Sequence, residues 1–330
     1  MKKPLVTVFG GSGFLGRYIV RLLAKNGFNI RVAVRDAEKA AFLSTAGEIG
    51  QISIVPSSIS SITDLNNAIE GSSFVINCVG ILYENSKRKF NNLHALAPGN
   101  IAKVSKRHRV KKLIHISALG ASLESKSSYS QSKAMGEELV FINYPEATIL
   151  RPSVVFGTDD SFINRFANLS RYLPILPYFS KVVPHQEGGG GTNFQPVYVN
   201  DIAKAILKII SSNNCDSRVY DIVGPKIYNM REILNLIVNY TERKPWVCAF
   251  PFWFGHYISL ILQFLPNPLI TPDQIKLLRV DNVSEKKLPQ LKDLGIEPTP
   301  MESIIPTYLK RFKPYQQDKR IRLNKKKINL

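Results

Sequence analysis

The sequence predicts an α/β fold, with a doubly wound parallel sheet and a smaller C-terminal α/β lobe. Three observations support this prediction. Short apolar runs of strand length alternate with helix-length segments as far as Arg151, as is typical of βαβ units with helices on both faces of a sheet. A glycine-rich turn directly follows the first apolar run. Prolines become frequent after Arg151, where the regular alternation ends.

The first domain, expected over residues 1–151, is built from elements that follow in order along the chain. Strands are predicted at Leu5–Phe9, Asn29–Val34, Ile52–Val55, Phe74–Cys78, Leu113–Ser117 and Thr148–Arg151. Helices are predicted at Phe14–Lys25, Asp64–Glu70, Phe90–Arg107 and Ser130–Asn143. The strands are continuous apolar runs, as expected of parallel strands that are buried on both faces.

The second lobe is expected over residues 152–310. It has predicted strands near 195–200 and 219–223, which we expect to return to the first sheet, and a helix at 230–240. Asn200 or Asp201 is expected to cap a further helix that ends near Ile210. Residues 311–330 form a strongly basic end, which we expect to be a disordered tail.

The composition excludes several classes of protein. Hydrophobic residues make up 44% of the chain and charged residues 21%, which excludes wholesale disorder. Three cysteines without a C-x-x-C pair argue against a disulfide framework, and no histidine has metal-ligand spacing, so no metal site is expected. The first apolar run is too short for a signal peptide. These features predict a cytoplasmic protein.

The charge is the least ordinary property, with a formal net value of +19 at pH 7. Such a charge suits an anionic partner, which leaves a nucleotide, an acidic lipid surface, RNA or an acidic protein open. No nucleic-acid-reading motif accompanies the basic residues, so no specific nucleic-acid partner is expected.

The segment 245–272 contains no charged residue, and Trp246–Leu265 holds seven aromatic residues. Pro251 and Pro266 bracket a possible helix of about 15 residues, roughly 22 Å long, which is short of the ~30 Å hydrocarbon core of a membrane. A membrane span is therefore not expected. The alternatives are a buried helix of the second lobe, which we favour, and an interfacial helix with aromatic anchors.

The turn after the first strand carries three glycines with G-x-x-G-x-x-G spacing, Gly10, Gly13 and Gly16. Glycine allows the tight turn and the close approach of backbone N–H groups to a pyrophosphate, and the helix that follows adds its positive end. This placement predicts a Rossmann-type dinucleotide site. The predicted cofactor contacts in this turn are Gly10, Gly11, Ser12, Gly13, Phe14, Leu15, Gly16 and Arg17.

The end of the second strand helps to choose between cofactors. Arg35 stands where the chain leaves the strand, and Arg17 lies nearby in the first helix. Two cations suit the 2′-phosphate of NADPH. Asp36 is one residue further on, and an acid in this region is typical of NADH sites. We expect NADPH, with NADH as the less favoured alternative.

A Tyr-x-x-x-Lys pair, Tyr129 and Lys133, begins the last helix of the first domain. A spacing of four places both side chains on one helix face. A nearby ammonium favours phenolate and lowers a tyrosine pKa from about 10. The pair therefore predicts a general acid–base for hydride transfer at a carbonyl.

With these motifs, residues 4–230 resemble the short-chain dehydrogenase/reductase superfamily in its extended or atypical branch. The shared motifs are the glycine triplet, Asn77-Cys-Val-Gly80, His115-Ile-Ser-Ala-Leu-Gly120, the Tyr/Lys pair and Arg151-Pro-Ser-Val-Val-Phe-Gly157. The resemblance implies that Tyr129 is the acid–base, that Lys133 binds the nicotinamide ribose and that Ser117 orients a substrate carbonyl. It also implies cofactor contacts at Val79 and Gly80.

Further motifs extend the resemblance to about residue 308, toward the nucleotide-binding accessory subunits of respiratory complex I and their bacterial relatives. They are Gln195-Pro-Val-Tyr-Val-Asn-Asp-Ile-Ala203, Asp221-Ile-Val-Gly-Pro225, the Pro251-Phe-Trp-Phe segment and the run from Ile270 to Asn282. This family resemblance implies tightly held NADPH without turnover, beside the ubiquinone-access region. The missing transit peptide favours a bacterial protein.

Two departures from the superfamily pattern favour cofactor holding over catalysis: Ala118 replaces a common Ser or Thr, and Ser57-Ser58 replaces a common Gly-Asp. We therefore expect an accessory or assembly protein linked to complex I or ubiquinone metabolism. Its expected partners are complex I subunits, quinone or an acidic membrane surface, with peripheral binding at the cytoplasmic face of the inner membrane. The alternative is a catalytic NADP-dependent reductase, epimerase or dehydratase whose small-molecule substrate the sequence does not identify.

Overall fold

The computed structural model describes residues 3–86, 88–181, 189–212, 218–285 and 287–314. The strands, in chain order, are β1 (Leu5–Phe9), β2 (Asn29–Val34), β3 (Ile52–Pro56), β4 (Phe74–Asn77), β5 (Lys112–Ile116), β6 (Thr148–Pro152), β7 (Val155–Phe156), β8 (Ile175–Ser180), β9 (Asn193–Phe194), β10 (Val197–Tyr198), β11 (Arg218–Ile222), β12 (Tyr228–Asn229) and β13 (Trp246–Pro251).

The α-helices are α1 (Phe14–Lys25), α2 (Ala37–Ala40), α3 (Ile62–Ile69), α4 (Ala97–Arg107), α5 (Ser128–Asn143), α6 (Phe162–Leu169), α7 (Val199–Ser211), α8 (Met230–Thr241), α9 (Phe252–Leu262), α10 (Pro272–Leu277) and α11 (Met301–Leu309). A π-helical segment, Asn91–Leu96, runs directly into α4. Short 3₁₀ segments cover Ala41–Ala46, Leu291–Leu294 and Lys310–Phe312.

The central sheet has seven parallel strands in the order β11-β6-β5-β4-β1-β2-β3. The strand order reverses between β1 and β4, which are neighbours. Because the loops after these two strands leave in opposite directions, a crevice forms between them at the carboxyl edge of the sheet. The predicted Rossmann-type fold is therefore confirmed.

Successive side chains of each strand point to opposite faces of the sheet, and helices bury both faces. In β1, Val6 and Val8 pack in one core with α1 and α7. Phe9 packs in the other core with α3, α4 and α5. The apolar runs of the sequence are thus those of strands covered by helices on both sides.

The chain after β6 contributes both to this sheet and to a core of its own. As expected, β11 returns to the sheet beside β6, whereas β10 pairs with β7 outside it. A separate core is built mainly from α6, α8, α11 and β8. The division of the chain at residue 151 stays a prediction.

Two details of the second lobe differ from the sequence prediction. Helix α7 begins at Val199, without a side-chain cap. Asp201 lies inside the helix, fully buried, where it pairs with Lys204 at 2.9 Å and accepts a hydrogen bond from Thr299 N. Phe312, which the sequence places in the basic tail, is buried. The tail from residue 315 onward lies outside the described residues.

The uncharged segment 245–272 forms a strand and then a helix. β13 pairs in parallel with β8, and α9 has 11 residues. The inner face of α9, with Phe252, Gly255 and Ser259, is buried. Its outer face is not: Trp253, Tyr257, Leu260, Ile261 and the following Phe264 are 40–84% exposed. The favoured prediction of a buried helix is therefore wrong for this face, because the lobe covers only one side of α9. None of the described helices combines the length and apolar character needed to cross a bilayer.

Candidate functional site

The turn between β1 and α1 depends on its glycines. Gly10 has a φ of +74°, in the left-handed region that glycine adopts without strain. A Cβ on Gly16 would lie 2.3 Å from the Gly10 carbonyl oxygen and 2.6 Å from the Cα of Gly11. A Cβ on Gly11 would lie 2.7 Å from Val32 Cγ1. The backbone of α1 can therefore approach β1 this closely only with glycine at these positions.

The first turn of α1 is left open at the crevice. Gly13 caps the helix without a side-chain hydrogen bond, and the first turn contains no acid. Gly13 is exposed, and Ser12, Phe14 and Leu15 are partly exposed around it. The N–H groups and positive end of α1 thus remain available to an anion. This glycine cradle fits the pyrophosphate of a dinucleotide.

The two predicted phosphate-binding arginines lie in different surroundings. The Arg17 guanidinium folds back over the turn, with Nε 3.3 Å from the Gly13 carbonyl oxygen. It also pairs with Asp159 of the second lobe at 3.6 Å. Arg35 is exposed and lines a cavity of ≈ 490 Å³. The two cations therefore differ, because Asp159 already compensates the charge of Arg17. Their joint binding of a 2′-phosphate stays a prediction.

The cavity beside Arg35 lies at the carboxyl ends of β2 and β3. Val55, Pro56 and Ser57 line it, and the hydroxyl of buried Ser57 has no hydrogen-bond partner among the described residues. Asp36 caps α2 through Lys39 N and pairs with Lys39 Nζ at 2.8 Å. Hydrogen bonds from Lys39 hold the Asp36 pKa below its usual value. The acid at the end of β2 is therefore already partnered.

The loop after β4 borders the other side of the crevice. Asn77 Oδ1 accepts a hydrogen bond from Val79 N at 3.1 Å. His94 Nε2, in the π-helical segment, accepts one from Ile81 N at 3.0 Å. Gly80 lies between them, where an added Cβ would be 3.6 Å from Lys133 Nζ. Gly80, one of the two predicted contacts of this loop, thus lies beside Lys133 of α5, and the other, Val79, directly precedes it.

His94 also fixes the Tyr129 end of α5. Because Nε2 accepts from Ile81 N, Nδ1 carries the proton and donates to Ser132 Oγ at 3.1 Å. Burial, with the Lys133 charge, lowers the His94 pKa to about 2, so the ring is neutral. Phe90 and His94 contact the Tyr129 ring edge-on, at 5.7 and 5.3 Å between centroids.

The structure brings Tyr129 and Lys133 to the crevice, but the pKa of Tyr129 is not lowered as expected. Lys133 is buried, and its Nζ donates to the Ile116 carbonyl oxygen at 3.1 Å. Burial raises the Tyr129 pKa to about 12. The predicted lowering of this pKa by Lys133 is therefore wrong for this structure, because desolvation of the phenol decides it.

Burial also destabilises the charged form of Lys133. Burial lowers its pKa to about 8, although the negative charge of Glu137 opposes that effect. An ammonium has three donor hydrogens, and the hydroxyls of a ribose in the crevice are suitable acceptors for those not used by Ile116. Lys133 therefore fits the ribose-binding role that the resemblance implied.

Ser117 follows β5 on the same side of the sheet as Lys133. It is buried, and its hydroxyl has no hydrogen-bond partner among the described residues. His115 is in a similar position: its Nδ1 contacts Asn77 Nδ2 at 3.1 Å, and its Nε2 lacks a described partner. Buried polar atoms are rarely left unpaired, so these two groups also fit a site built to receive a polar ligand.

Sequence reasoning missed three residues of this neighbourhood. His94 and Asn77 fix the β4 loop, and Asp273, from α10, accepts hydrogen bonds at the start of α5. Asn77 and Asp273 both lie in motifs of the family resemblance, which indicate the segments but not these roles. Nothing local distinguishes His94, and both His94 and Asp273 act on residues distant in the sequence.

Comparison with known proteins agrees with this geometry. Residues 10–160 match a family described as NAD(P)H-binding. The NAD complex of UDP-glucose 4-epimerase from Thermus thermophilus has a TM-score of 0.67 to this chain at 18% identity, over 94% of this chain and 100% of that one. That likeness concerns the fold. The chain thus has an NAD(P)H-binding domain within a Rossmann-type fold that is like that of the epimerase.

Closer relatives identify the family. NADH dehydrogenase (ubiquinone) 1 alpha subcomplex subunit 9, mitochondrial, of Mus musculus is 32% identical over 94% of this chain and 81% of its own length. The protein of the same name from Dictyostelium discoideum is 33% identical over 94% and 85%. The chain belongs to the family of this respiratory complex I subunit.

Proposed function

We propose that this chain is an accessory or assembly subunit of respiratory complex I that holds NADPH without turning over a substrate. The observation that carries the proposal is the contrast within the site. The glycine cradle fits a dinucleotide, whereas burial raises the Tyr129 pKa to about 12. Burial therefore makes Tyr129 a poorer base for dehydrogenation, while its protonated phenol can still donate a proton in a reduction. The absence of turnover is supported in addition by the similarity of this chain to the complex I subunit.

The choice of NADPH over NADH is supported by the end of β2. Arg35 is exposed at the mouth of the cavity and suits a 2′-phosphate. Asp36 is engaged by Lys39, so its carboxylate is less available to the 2′-hydroxyl of NADH. An Arg35→Gln variant is expected to bind NADPH about 10-fold more weakly, with NADH binding unchanged. Equal losses for both nucleotides would overturn this assignment.

The docking surface in this proposal is the outer face of α9. Trp253, Tyr257, Ile261 and Phe264 follow one another at helical spacing and are more than half exposed. An apolar face of this kind marks an interaction surface. This uncharged face suits an apolar surface of complex I subunits. The net charge of the whole chain, +19, suits a position beside the acidic cytoplasmic face of the inner membrane.

A second candidate, an NADP-dependent reductase or epimerase, is favoured by one observation. The hydroxyl of Ser117 is buried without a described partner on the Lys133 side of the sheet. A substrate carbonyl is one group that this hydroxyl suits. In the reducing direction the protonated phenol of Tyr129 would donate a proton to that carbonyl, so its raised pKa is compatible with this alternative.

The first experiment separates these candidates. Nucleotide released from the purified native protein is identified by mass spectrometry, and the fluorescence of bound NADPH is followed as quinones and carbonyl compounds are added. NADPH that stays bound and unoxidised is the expected result. Oxidation that Tyr129→Phe abolishes would establish the enzyme, and absence of any nucleotide would overturn both candidates.

The second experiment tests the docking surface. A Trp253→Ser/Ile261→Ser/Phe264→Ser variant is expected to lose co-purification with complex I from membranes by at least about 10-fold. The control is Ile49→Ser/Ile142→Ser, which removes two equally exposed apolar side chains elsewhere. Equal recovery of both variants would contradict docking through α9. Binding of the wild-type chain to anionic vesicles alone would identify lipid as part of the surface.

A further inference from the structure

Helix α5, which carries Tyr129 and Lys133, is completed by a residue from the second lobe. Asp273 Oδ1 accepts a hydrogen bond from Ser128 N at 2.8 Å, and Oδ2 accepts one from Tyr129 N at 3.1 Å. The Oδ2 atom also accepts from Ser127 Oγ at 2.8 Å. Ser127 in turn accepts from Ser130 N. Three successive N–H groups of the first turn are thereby satisfied.

A carboxylate is well suited to this position. The first turn of α5 contains no acid of its own, and the N-terminus of a helix carries a partial positive charge. Hydrogen bonds to an ionised acceptor are about twice as strong as neutral ones. The Asp273 carboxylate therefore fixes the position of the Tyr129 backbone more firmly than the Ser127 cap does by itself.

The same stretch of chain, residues 267–274, which we call the strap, also holds the loop after β4. Gln274 Nε2 donates to the Leu82 carbonyl oxygen at 3.3 Å, and Tyr83 donates to Asn267 Oδ1 at 3.3 Å. These residues closely follow Gly80 in the chain. The strap thus contacts both elements that border the Lys133 side of the crevice.

The strap is continuous with the apolar helix. It follows α9 after the short connection 263–266 and includes the first turn of α10. The two helices pack closely: a Cβ on Gly255 would lie 2.9 Å from the Ile275 side chain. A shift of α9 would move α10 with it, because interiors of this density transmit displacement. Asp273 lies in the first turn of α10, so the displacement would reach α5.

We infer that Asp273 is a positioning residue through which occupation of the α9 face and nucleotide binding are coupled. Asp273 contacts the backbone of α5 and acts on the site through Tyr129 and Lys133. The coupling rests on the proposed function, since it needs both a nucleotide and a docking partner. By linkage, docking that favours the bonded strap strengthens nucleotide binding, and the nucleotide strengthens docking by the same factor.

The first test compares Asp273→Ala with Asp281→Ala. Asp281 is a suitable control because it too accepts hydrogen bonds from a neighbouring segment, two of them, from Asn193 N and Asn193 Nδ2, both at 2.9 Å, and these do not involve α5. We expect both variants to lower the unfolding temperature. Asp273→Ala alone is expected to weaken NADPH binding, by about 10-fold in a fluorescence titration. Equal affinities of the two variants would overturn the inference.

Two further measurements keep the test decisive. Asp273→Asn retains one acceptor oxygen, so we expect its NADPH affinity to lie between those of the wild type and Asp273→Ala. If the alanine variant fails to fold, the comparison with Asp281→Ala is made with Asp273→Asn. In the nucleotide-free protein, hydrogen exchange at Ser128 and Tyr129 is expected to accelerate at least 10-fold in Asp273→Asn and not in Asp281→Ala. Unchanged exchange would overturn the positioning role.

The coupling itself is measured with complex I membranes stripped of this subunit. Wild-type chain is expected to bind them several-fold more tightly with NADPH than without, and Asp273→Asn is expected to lose that difference. Tight wild-type binding that NADPH does not change would overturn the coupling and leave the proposed function intact. A wild-type chain that binds neither NADPH nor membranes would overturn the proposed function, while the exchange experiment still decides the positioning role.

Discussion

Helices α1 and α5 both begin beside the crevice, but their first turns are completed differently. α1 starts at Gly13, with no side-chain cap and no acid in its first turn. α5 starts at Ser127, whose hydroxyl accepts from Ser130 N, and Asp273 adds a carboxylate from the second lobe. One helix end is left open for the anion of a ligand, and the other already has an anion from the protein. The difference supports the proposal that α1 binds the nucleotide, whereas α5 is held in place beside it by the protein's own carboxylate.

The largest expected effect on stability and NADPH affinity comes from adding a side chain where α1 contacts the turn after β1. In Gly16→Ala, the new Cβ would lie 2.3 Å from the Gly10 carbonyl oxygen, a backbone atom that cannot move aside cheaply. We expect a loss of about 3 kcal/mol in unfolding free energy and of about 100-fold in NADPH affinity. Denaturant unfolding and fluorescence titration measure the two.

The control for this variant is Gly27→Ala, at the other end of α1. Gly27 has a φ of +80°, and nothing lies within 4 Å of an added Cβ. We expect a cost of about 1 kcal/mol from backbone strain alone and no change in NADPH affinity. If both variants lost the same affinity, the close approach at Gly16 would not be what forms the cradle.

The next largest effect on NADPH affinity is expected when the start of α1 receives a carboxylate, as the start of α5 already has from Asp273. Gly13→Asp supplies a capping carboxylate at the exposed start of α1, so we expect unfolding free energy to change by less than about 1 kcal/mol. NADPH affinity is expected to fall by about 30-fold or more, because the carboxylate repels the pyrophosphate and occupies its donors. Isothermal titration calorimetry measures this loss. Gly13→Asn, similar in shape but neutral, should lose clearly less, and an equal loss would show that charge is not the cause.

The buried ammonium of α5 gives a pH-dependent prediction. Burial lowers the Lys133 pKa from 10.5 to about 8. Between these values the unfolded chain binds more protons at residue 133 than the folded one, so the contribution of Lys133 to the stability of the nucleotide-free protein rises with pH from about 8 to about 10.5. Buried Cys78, whose pKa is raised to about 12, contributes the opposite slope above about pH 9, so the Lys133 contribution is read from the difference between variant and wild type. Below pH 8 the cost of burial, on the order of 3 kcal/mol, is fully present.

Lys133→Met is therefore expected to stabilise the nucleotide-free protein at pH 7 by up to about 3 kcal/mol and to remove this rise with pH. It should also weaken NADPH binding, because the ribose loses a donor. Unfolding curves at several pH values test the stability effect. Lys103→Met, at an exposed position of α4, serves as the comparison and should leave the rise intact. A variant at residue 133 that kept the rise would contradict the assignment.

The smallest effect is expected at the cap of α5. Ser127→Ala removes one acceptor, but Asp273 still accepts from Ser128 N and Tyr129 N. We expect a cost of about 1 kcal/mol in unfolding free energy and less than about a 3-fold change in NADPH affinity. Thermal unfolding with and without NADPH measures both. A larger loss of affinity than in Asp273→Ala would reverse the ranking of the two caps.

Much of the first domain could be predicted from the sequence because its determinants are local. The bounds of β1, α1 and β2 agree with the prediction, since a glycine turn separates a strand pattern from a helix pattern. The cradle itself was predictable for the same reason, as Gly10 and Gly16 are required by neighbouring backbone atoms.

The electrostatics of the site were not predictable, because they depend on residues distant in the sequence. Arg17 is paired by Asp159 of the second lobe. The pKa of Tyr129 is set by burial and not by the lysine one turn away. The sequence likewise showed that α9 is apolar all round, but only the packed lobe shows which face is covered.

The sequence by itself thus determined the strands β1 to β6 of the first domain, the glycine cradle and the positions of the Tyr/Lys pair, because short-range sterics and hydrophobic periodicity fix them. The tertiary structure alone decided how Tyr129 is desolvated, which side of α9 faces outward and that Asp273 completes α5. Desolvation, exposure and hydrogen bonding between lobes arise only when distant segments pack, so no local pattern encodes them.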